Sequence, residues 1–357
     1  MSTHDNPADH SRPRPPADDA ATVAEAVLAA GEHGYGFGLI DGYPLAGVTR
    51  SMFEAVRAAA PSARVIATDV TGLAEITATP QYLAHWSTDE QYLVWLDDLS
   101  PADVTLLGTG VLERICRHAA VMANINTAVC ERLLADRAPA TGPARTVLLE
   151  YAHRAHVPFT LSTRERATLE ALYPGLAVTA SIGEAMVGGN ILVRHYHHAA
   201  TEYPDGHLLV QAAVDARRAG IHRDLSVTEL RELFESYSAR PRTERAFAQA
   251  LDWAGKPPAG ASTGLLRAPA RPRHPGGWKV LGYVAGADDG AHRSPARPIP
   301  ESGWTALVAV LAGTNGYALG IGALLRGRPD IATAAFTAAA GYSDAAGIAA
   351  TAALTTL

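Results

Sequence analysis

The segment from Phe37 to Arg50, which reads FGLIDGYPLAGVTR, constrains the fold more than any other part of the sequence. The run from Phe37 to Ile40 is short and apolar, as expected for a strand buried in a parallel sheet. A loop with two glycines follows, and the residues after Thr49 have the composition of a helix. A strand, a glycine loop and a helix in this order predict one unit of a parallel α/β sheet.

The loop matches three of the four fixed positions of the phosphate-binding motif GxxxxGK[ST]. Val48 stands where the motif has its lysine. We therefore interpret the segment as a degenerate P-loop that binds ATP or ADP with Mg²⁺. The predicted nucleotide-binding residues are Gly42, Pro44, Gly47, Val48, Thr49 and Arg50.

The change at Val48 has a specific physical consequence. Loop N–H groups and the helix N-terminus still attract an anion, and the Thr49 hydroxyl still suits Mg²⁺. Val48 places no positive charge on the phosphates, and Arg50, two residues further along the helix, points elsewhere. Because phosphoryl transfer depends on electrostatic stabilisation, we expect weak binding and badly impaired hydrolysis. A plain strand–turn–helix without a ligand is the alternative.

A second segment, Gln91 to Ser100, reads QYLVWLDDLS and resembles a Walker B strand. In this interpretation Asp97 holds Mg²⁺ directly or through water, with Thr49 as the other protein group at the metal. Asp98 is then the candidate catalytic residue, placed to polarise the attacking water. The alternative is a buried strand that leaves the core at an acidic turn. The P-loop-like segment upstream favours the Walker B interpretation.

Composition limits the other functional classes. The 357 residues carry a net charge of −6 without a long basic run, so no nucleic-acid binding is expected. Cys116 and Cys130 lack metal-ligand spacing and indicate a reducing, cytoplasmic location. The N-terminus has no secretory pattern. The segment from Trp304 to Leu325 has no charged residue and is long enough to span a bilayer. Thr314-Asn315-Gly316 in its middle favours two packed helices joined by a turn, so no membrane is expected.

Four regions are predicted along the chain. Residues 1–20 form a disordered tail, 21–160 a P-loop NTPase-like α/β domain, 161–300 a helical and winged-helix-like domain, and 301–357 a tetratricopeptide-like helical region. In the α/β domain, 63–69 and 91–100 read as strands, 101–135 as mostly helical, and Thr146–Tyr151 as the next strand. His153 or Arg154 would then sense a γ-phosphate, or would be ordinary surface polarity.

In the third region, two Ser-x-x-Glu patterns, Ser162 with Glu165 and Ser226 with Glu229, predict capping boxes at helix starts. Two short apolar runs, 263–266 and 278–283, predict a hairpin whose loop is 269–275. Three helices and this hairpin give the winged-helix-like interpretation.

From Leu39 to about Tyr283 the sequence resembles the STAND class of bacterial signalling P-loop NTPases with C-terminal tetratricopeptide repeats. The segments that carry this resemblance are GYPLAGVTRSMFEAVRAA, YLVWLDDL, LSTRERATLEALYP, LLVQAAVDARRAGIHRDLSVTELRELFESY and ALDWAGKPPAGASTGLL. The resemblance implies a switch in which ADP maintains a closed form and ATP permits oligomerisation. It departs from the class at Val48, in its short repeat array and in the lack of a recognisable effector domain.

Two hypotheses follow. In the first, the chain is a STAND-like regulatory nucleotide-binding protein, a pseudo-ATPase or weak ATPase. In the second, it is a non-enzymatic scaffold with a purely structural α/β core, whose C-terminal helices bind another protein or a second copy. Convergence of Asp97 and Thr49 beside an open loop favours the first hypothesis, and a loop filled by side chains favours the second. A DNA-binding regulator is disfavoured because the predicted helix 226–236 lacks a basic face.

Overall fold

The centre of the molecule is a five-stranded sheet in which all neighbouring strands are parallel. The computed structural model describes residues 18–28, 36–86, 90–174, 181–238, 240–268, 277–292 and 294–356. The strands are β1 (Phe37–Gly42), β2 (Arg64–Ala67), β3 (Tyr92–Leu99), β4 (Ala120–Asn126) and β5 (Ala152–Val157). They lie in the order β2-β3-β4-β1-β5, so β4 separates the strand before the glycine loop from the strand that carries Asp97. The predicted α/β class, with a parallel sheet followed by a helical region, is confirmed.

Helices cover both faces of this sheet. They are α1 (Asp18–Leu28), α2 (Val48–Ala59), α3 (Val70–Ala78), α4 (Pro80–Ala84), α5 (Pro101–Ile115), α6 (Thr127–Ala135) and α7 (Gly142–Thr146). Ile40 packs in a cluster with Met52 of α2, whereas Leu39 packs in a cluster with Leu107 of α5. Because successive residues of a strand face opposite sides, β1 is buried along its whole length. This explains the uninterrupted apolar run in its sequence.

One predicted strand in this region is wrong, and one strand was not predicted. The segment 101–135 is mostly helical, as predicted, but it also contains strand β4, which reads AVMANIN. Alanine, methionine and asparagine have little preference for strands, but burial between β1 and β3 overrides that preference. The predicted strand Thr146–Tyr151 is instead a π-helical turn over Val147–Tyr151, and β5 begins at the next residue. A short apolar run does not distinguish these two conformations by periodicity.

The rest of the chain is mainly helical, as predicted. The helices are α8 (Thr163–Leu172), α9 (Ile182–Val187), α10 (Gly189–Glu202), α11 (Pro204–Arg218), α12 (Val227–Tyr237), α13 (Glu244–Gly255), α14 (Gly282–Asp288), α15 (Glu301–Leu324), α16 (Pro329–Ala339) and α17 (Ala345–Leu354). One hydrophobic cluster extends from Leu192 in α10 to Ala353 in α17 and includes Ala102 of α5. The predicted boundaries at 160 and 300 remain predictions.

Both predicted capping boxes are present, at Ser162 and Ser226. Two short strands, β6 (Leu266–Arg267) and β7 (Lys279–Val280), pair antiparallel as the predicted hairpin. Its loop, 269–275, lies outside the described residues, and the winged-helix-like interpretation remains a prediction. The predicted tail also lies outside the described residues as far as position 17, and α1 begins at Asp18.

Helix α15 contains the apolar segment considered as a membrane span. Its backbone leaves helical geometry at Asn315, with φ −139° and ψ 22°, so the predicted turn is a kink within one helix. Within the described ranges, this helix alone is long and apolar enough to cross a membrane, and 56% of its most apolar window is buried inside the protein. Core helices of soluble proteins meet the same criterion, so the criterion alone is weak evidence for a membrane span.

Candidate functional site

The glycine loop is a tight turn between β1 and α2. The Ala46 N–H donates to the Tyr43 carbonyl oxygen across 3.0 Å. Leu45 and Gly47 both have positive φ, 67° and 92°. Gly47 is the N-cap residue of α2, a position where no side chain caps the helix. The N-terminus of α2 therefore carries its partial positive charge without a side-chain cap, and such a charge attracts an anion.

The loop is also in contact with the helical region. The Ser181 hydroxyl, which caps α9, donates to the Leu45 carbonyl oxygen across 2.9 Å. A Cβ atom on Gly183 would lie 2.3 Å from that same oxygen, so only glycine permits this approach. Pro44 packs near Gly282 at the start of α14. Two helices of the C-terminal half, α9 and α14, thus contact the loop.

Val48 packs against the end of β1. A Cβ atom on Gly42 would lie 2.4 Å from Val48 Cγ2, so the glycine makes room for the valine. Val48 is partly buried in the cluster that contains Ile40 and Met52. Arg50 does not replace the missing lysine, because its guanidinium pairs with Glu54 one turn further along α2. Among the side chains predicted for the loop, therefore, no cation faces the loop N–H groups.

Thr49 and Asp97 converge, although 48 residues separate them in the chain. The Thr49 hydroxyl donates to Asp97 Oδ1 across 3.0 Å, and both residues are exposed. Neighbouring ligands of an octahedral Mg²⁺, each about 2.1 Å from the metal, lie about 3 Å apart. The spacing of these two oxygens therefore fits a shared Mg²⁺ ion. Within the described ranges, no group of three or more His, Cys, Asp or Glu residues is arranged for a metal.

Asn124 of β4 links the same residues. Its amide nitrogen donates to Asp97 Oδ1 and, across 3.3 Å, to the Thr49 hydroxyl. Its side-chain oxygen accepts the Asp98 N–H across 2.8 Å. Asn124 is buried, so these contacts fix the Asp97 carboxylate beside Thr49.

Sequence analysis missed Asn124 because β4 was interpreted as helix. The sequence analysis placed the candidate γ-phosphate sensor, His153 or Arg154, at the end of the strand that follows the Walker B-like strand. The strand after β3 in the chain is β4, whereas His153 and Arg154 lie on β5, on the far side of β1. The signal that was available is an asparagine, Asn124, flanked by apolar residues in a run of strand length that ends at a second asparagine, Asn126.

Asp98 lies in a separate set of ion pairs. Arg217 Nη2 of α11 donates to both Asp98 oxygens, at 2.8 and 2.9 Å, and the Lys279 ammonium of β7 lies 2.8 Å from Oδ2. His222 Nδ1 lies 3.3 Å from the Asp98 carbonyl oxygen. Burial alone raises the pKa of Asp98, but Arg217, His222 and Lys279 outweigh it and lower that pKa well below its usual range. The carboxylate is therefore ionised and engaged by the helical region.

The backbone at Asp98 is unusual. Its φ is 58°, in the left-handed region, and the pairing of β3 with β4 shifts register between Leu96 and Leu99. Regular alternation along a strand directs adjacent side chains to opposite faces. Here the irregular backbone brings Asp97 to Thr49 and Asn124, and Asp98 to the helical region.

A second buried carboxylate, Asp41, precedes the loop at the end of β1. It accepts a hydrogen bond from the Thr127 hydroxyl across 2.9 Å, and His156 Nδ1 lies 2.8 Å away. Arg154 lies 3.4 Å from its other oxygen. These contacts join β1 to α6 and β5 directly beneath the loop. Sequence analysis did not select Asp41.

Comparisons with known proteins give little further information. No protein-family model matches the sequence, and a search of curated proteins finds no significant match. Among solved structures, the chain is similar to Cdc6p from Pyrobaculum aerophilum, with 14% sequence identity and a TM-score of 0.30. That similarity covers 73% of this chain and 88% of Cdc6p. A similarity this low adds nothing to the functional assignment, which rests on the strand order and site geometry of this chain.

Proposed function

We propose that this chain is a STAND-like regulatory protein that binds ATP or ADP with Mg²⁺ and hydrolyses ATP slowly or not at all. The observation that carries the proposal is the 3.0 Å contact between the Thr49 hydroxyl and Asp97 beside the loop. Bound Mg²⁺ would neutralise phosphate charge at this position. Thr49 and Asp97 would hold the metal, with Asn124 orienting the carboxylate.

Weak turnover is supported by two features. Val48 supplies no charge to the phosphates, so the loop stabilises an anion through N–H groups alone. Asp98, the candidate catalytic residue, is paired with Arg217 and Lys279. A carboxylate in two such contacts is a poor acceptor for a water proton, because the two neighbouring cations stabilise its ionised form. Asp98 would polarise water only after these contacts separate.

The same ion pairs support a closed state. Arg217 lies on α11 and Lys279 on β7, and both contact a residue of β3. The STAND resemblance implies that ADP maintains a closed form and that ATP permits assembly. In this chain, the contacts at Asp98 and at the Leu45 carbonyl oxygen would keep the helical region against the sheet.

The test is calorimetric titration of the full chain with Mg·ATP and with Mg·ADP. We expect weak binding by the native chain without turnover, and at least ~10-fold weaker binding by Thr49→Ala, the loss expected when one contact to a charged group is removed. Val48→Lys should bind more tightly. Thr228→Ala, which removes an exposed threonine on α12, is the matched control and should bind like the native chain. Absence of binding by both the native chain and Val48→Lys would refute the proposal.

A scaffold is the second candidate, favoured by apolar exposure at the C-terminus. Ile348, on the short apolar helix α17, is 64% exposed, and Tyr342, just before that helix, is 51% exposed. In this case the C-terminal helices would bind a second copy or another protein. Sedimentation velocity at several protein concentrations tests self-association. A dimer that Ile348→Ser dissociates, in a chain that binds no nucleotide, would favour the scaffold.

A further inference from the structure

A cavity of about 270 Å³ lies between the α/β sheet and the helical region. Tyr43 and Pro44 of the loop line one side, and Asn126 and Arg132 line the side of β4 and α6. Pockets for small organic ligands usually measure ~300–1,000 Å³. This cavity is therefore suited to a small ion or one chemical group rather than to a whole nucleotide.

The lining of the cavity is strongly basic. Four arginines line it with a single carboxylate, that of Asp289. Three of the four, Arg132, Arg218 and Arg326, lie 2.7–2.9 Å from that one carboxylate. One negative charge does not balance three positive charges, so positive potential remains on the cavity wall.

Further carboxylates behind the wall do not remove the excess. Arg218 also pairs with Asp215, and Arg297 pairs with both Asp215 and Asp288. The network thus contains three carboxylates and four guanidinium groups. An uncompensated positive charge is costly in a buried site, so an anion bound beside this network would be stabilised.

Two buried nitrogen atoms of lining residues have no hydrogen-bond partner among the described residues: Arg217 Nη1 and His292 Nε2. The Arg217 side chain is only 10% exposed, and its other terminal nitrogen, Nη2, already contacts Asp98. A buried guanidinium N–H without an acceptor costs free energy, and this one belongs to a side chain that lines the cavity.

Helix α6 adds a third source of attraction. Its N-cap residue Asn126, together with Ala128 and Val129 of its first turn, lines the cavity. The N-terminus of a helix carries a partial positive charge, and here the Ala128 N–H already donates to the Asn126 side chain across 3.0 Å. The partial charge of the helix and the arginine side chains therefore approach the same cavity from different sides.

We propose that this cavity binds a phosphate-sized anion, contacted by Arg132, Arg217, Arg326 and the N-terminus of α6. The anion is either free phosphate or the terminal phosphate of a nucleotide. It joins the loop, through Tyr43 and Pro44, to the helical region, through α11 and α15. The site uses residues other than Thr49 and Asp97, so the binding of free phosphate there does not depend on the proposed nucleotide function, whereas the binding of a nucleotide's terminal phosphate rests on it.

The test is calorimetric titration of the full chain with inorganic phosphate in a phosphate-free buffer. We expect saturable binding with one site, and binding ~10-fold or more weaker in Arg132→Gln, the effect of losing one charge-assisted contact. Arg132→Lys keeps the charge and should retain most of the affinity. Arg328→Gln is the matched control, because Arg328 pairs with Asp330 and Glu301 and does not line the cavity. No saturable binding by the native chain, or equal weakening in Arg328→Gln, would overturn the proposal.

Two further titrations identify the source of the anion. Phosphate binding that persists in the presence of saturating Mg·ADP, and also of Mg·ATP, identifies free phosphate. Phosphate binding that Mg·ATP blocks and Mg·ADP permits identifies the terminal phosphate of ATP. Phosphate binding by the native chain, with no nucleotide binding by the native chain or by Val48→Lys, leaves this site standing and refutes the proposed function.

Discussion

Acidification from pH 7 to pH 5 should destabilise the protein through His222, at the junction between β3 and the helical region. The His222 side chain is only 9% exposed and lies beside Asp98. Burial, reinforced by the nearby Arg217 charge, lowers its pKa to about 3. An unfolded histidine has a pKa of about 6.5. Between these two values the unfolded chain takes up a proton that the folded chain excludes, so stability decreases as the pH falls.

The magnitude at pH 5 depends mainly on the unfolded pKa. Over the roughly 1.5 pH units between pH 6.5 and pH 5, a slope of about 1.36 kcal/mol per unit gives about 2 kcal/mol. The result is insensitive to the folded pKa, provided that it remains well below 5. His292, whose pKa burial lowers to about 4, adds a loss of the same sign. The raised pKa values of Asp103 and Asp215 increase stability as the pH falls, which opposes the effect of His222. The contribution of His222 is therefore measured as the difference in pH dependence between the native chain and a His222 variant.

The assay is urea denaturation at pH 7 and pH 5, comparing the native chain with His222→Gln. Glutamine retains a side-chain donor for the Asp98 carbonyl oxygen but does not titrate. We expect the loss of unfolding free energy between the two pH values to be about 2 kcal/mol smaller in the variant. His153→Gln, a change at an exposed histidine of β5, is the control and should behave like the native chain. Equal pH dependence in the native chain and His222→Gln would refute the reasoning.

Two further predictions concern packing and capping. Gly322→Ala should reduce the unfolding free energy by ~1–3 kcal/mol, because its new methyl group would lie 1.9 Å from the Ala219 carbonyl oxygen. Gly341→Ala, which meets no atom within 4 Å, should change it by less than ~0.5 kcal/mol, and urea denaturation measures both. Ser226→Ala should cost ~1 kcal/mol in the same assay, because it removes the side chain that accepts the Glu229 N–H at the start of α12. A Ser226→Ala protein as stable as the native chain would contradict the capping argument.

The sequence was sufficient where a local pattern has one structural solution. A glycine-rich turn between an apolar run and a helix predicted β1, the loop and α2. Ser-x-x-Glu predicted the starts of α8 and α12 for the same reason, because the capping box involves only four consecutive residues. The convergence of Thr49 and Asp97 was also predictable, because parallel strands end at the same edge of a sheet.

The sequence was insufficient where a residue acquires its role from distant parts of the chain. Asn124 contacts Thr49 across 75 positions, and Arg217 contacts Asp98 across 119 positions. Neither contact leaves a local periodic signal. β4 has weak strand propensity and forms a strand because it is buried between two others. The arginines around Asp289 likewise come from separate elements and resemble ordinary surface charges in the sequence.

The left-handed backbone of Asp98 has a mechanical consequence. Asp97 contacts the loop residue Thr49, and Asp98 contacts Arg217 and Lys279 of the helical region. One peptide unit therefore connects the two sets of contacts, without an intervening hinge segment. A displacement of the helical region that stretches the Asp98 ion pairs would apply torque to the same peptide plane that orients Asp97. The candidate metal site and the contacts to the C-terminal half of the molecule are thus carried by two adjacent residues, Asp97 and Asp98.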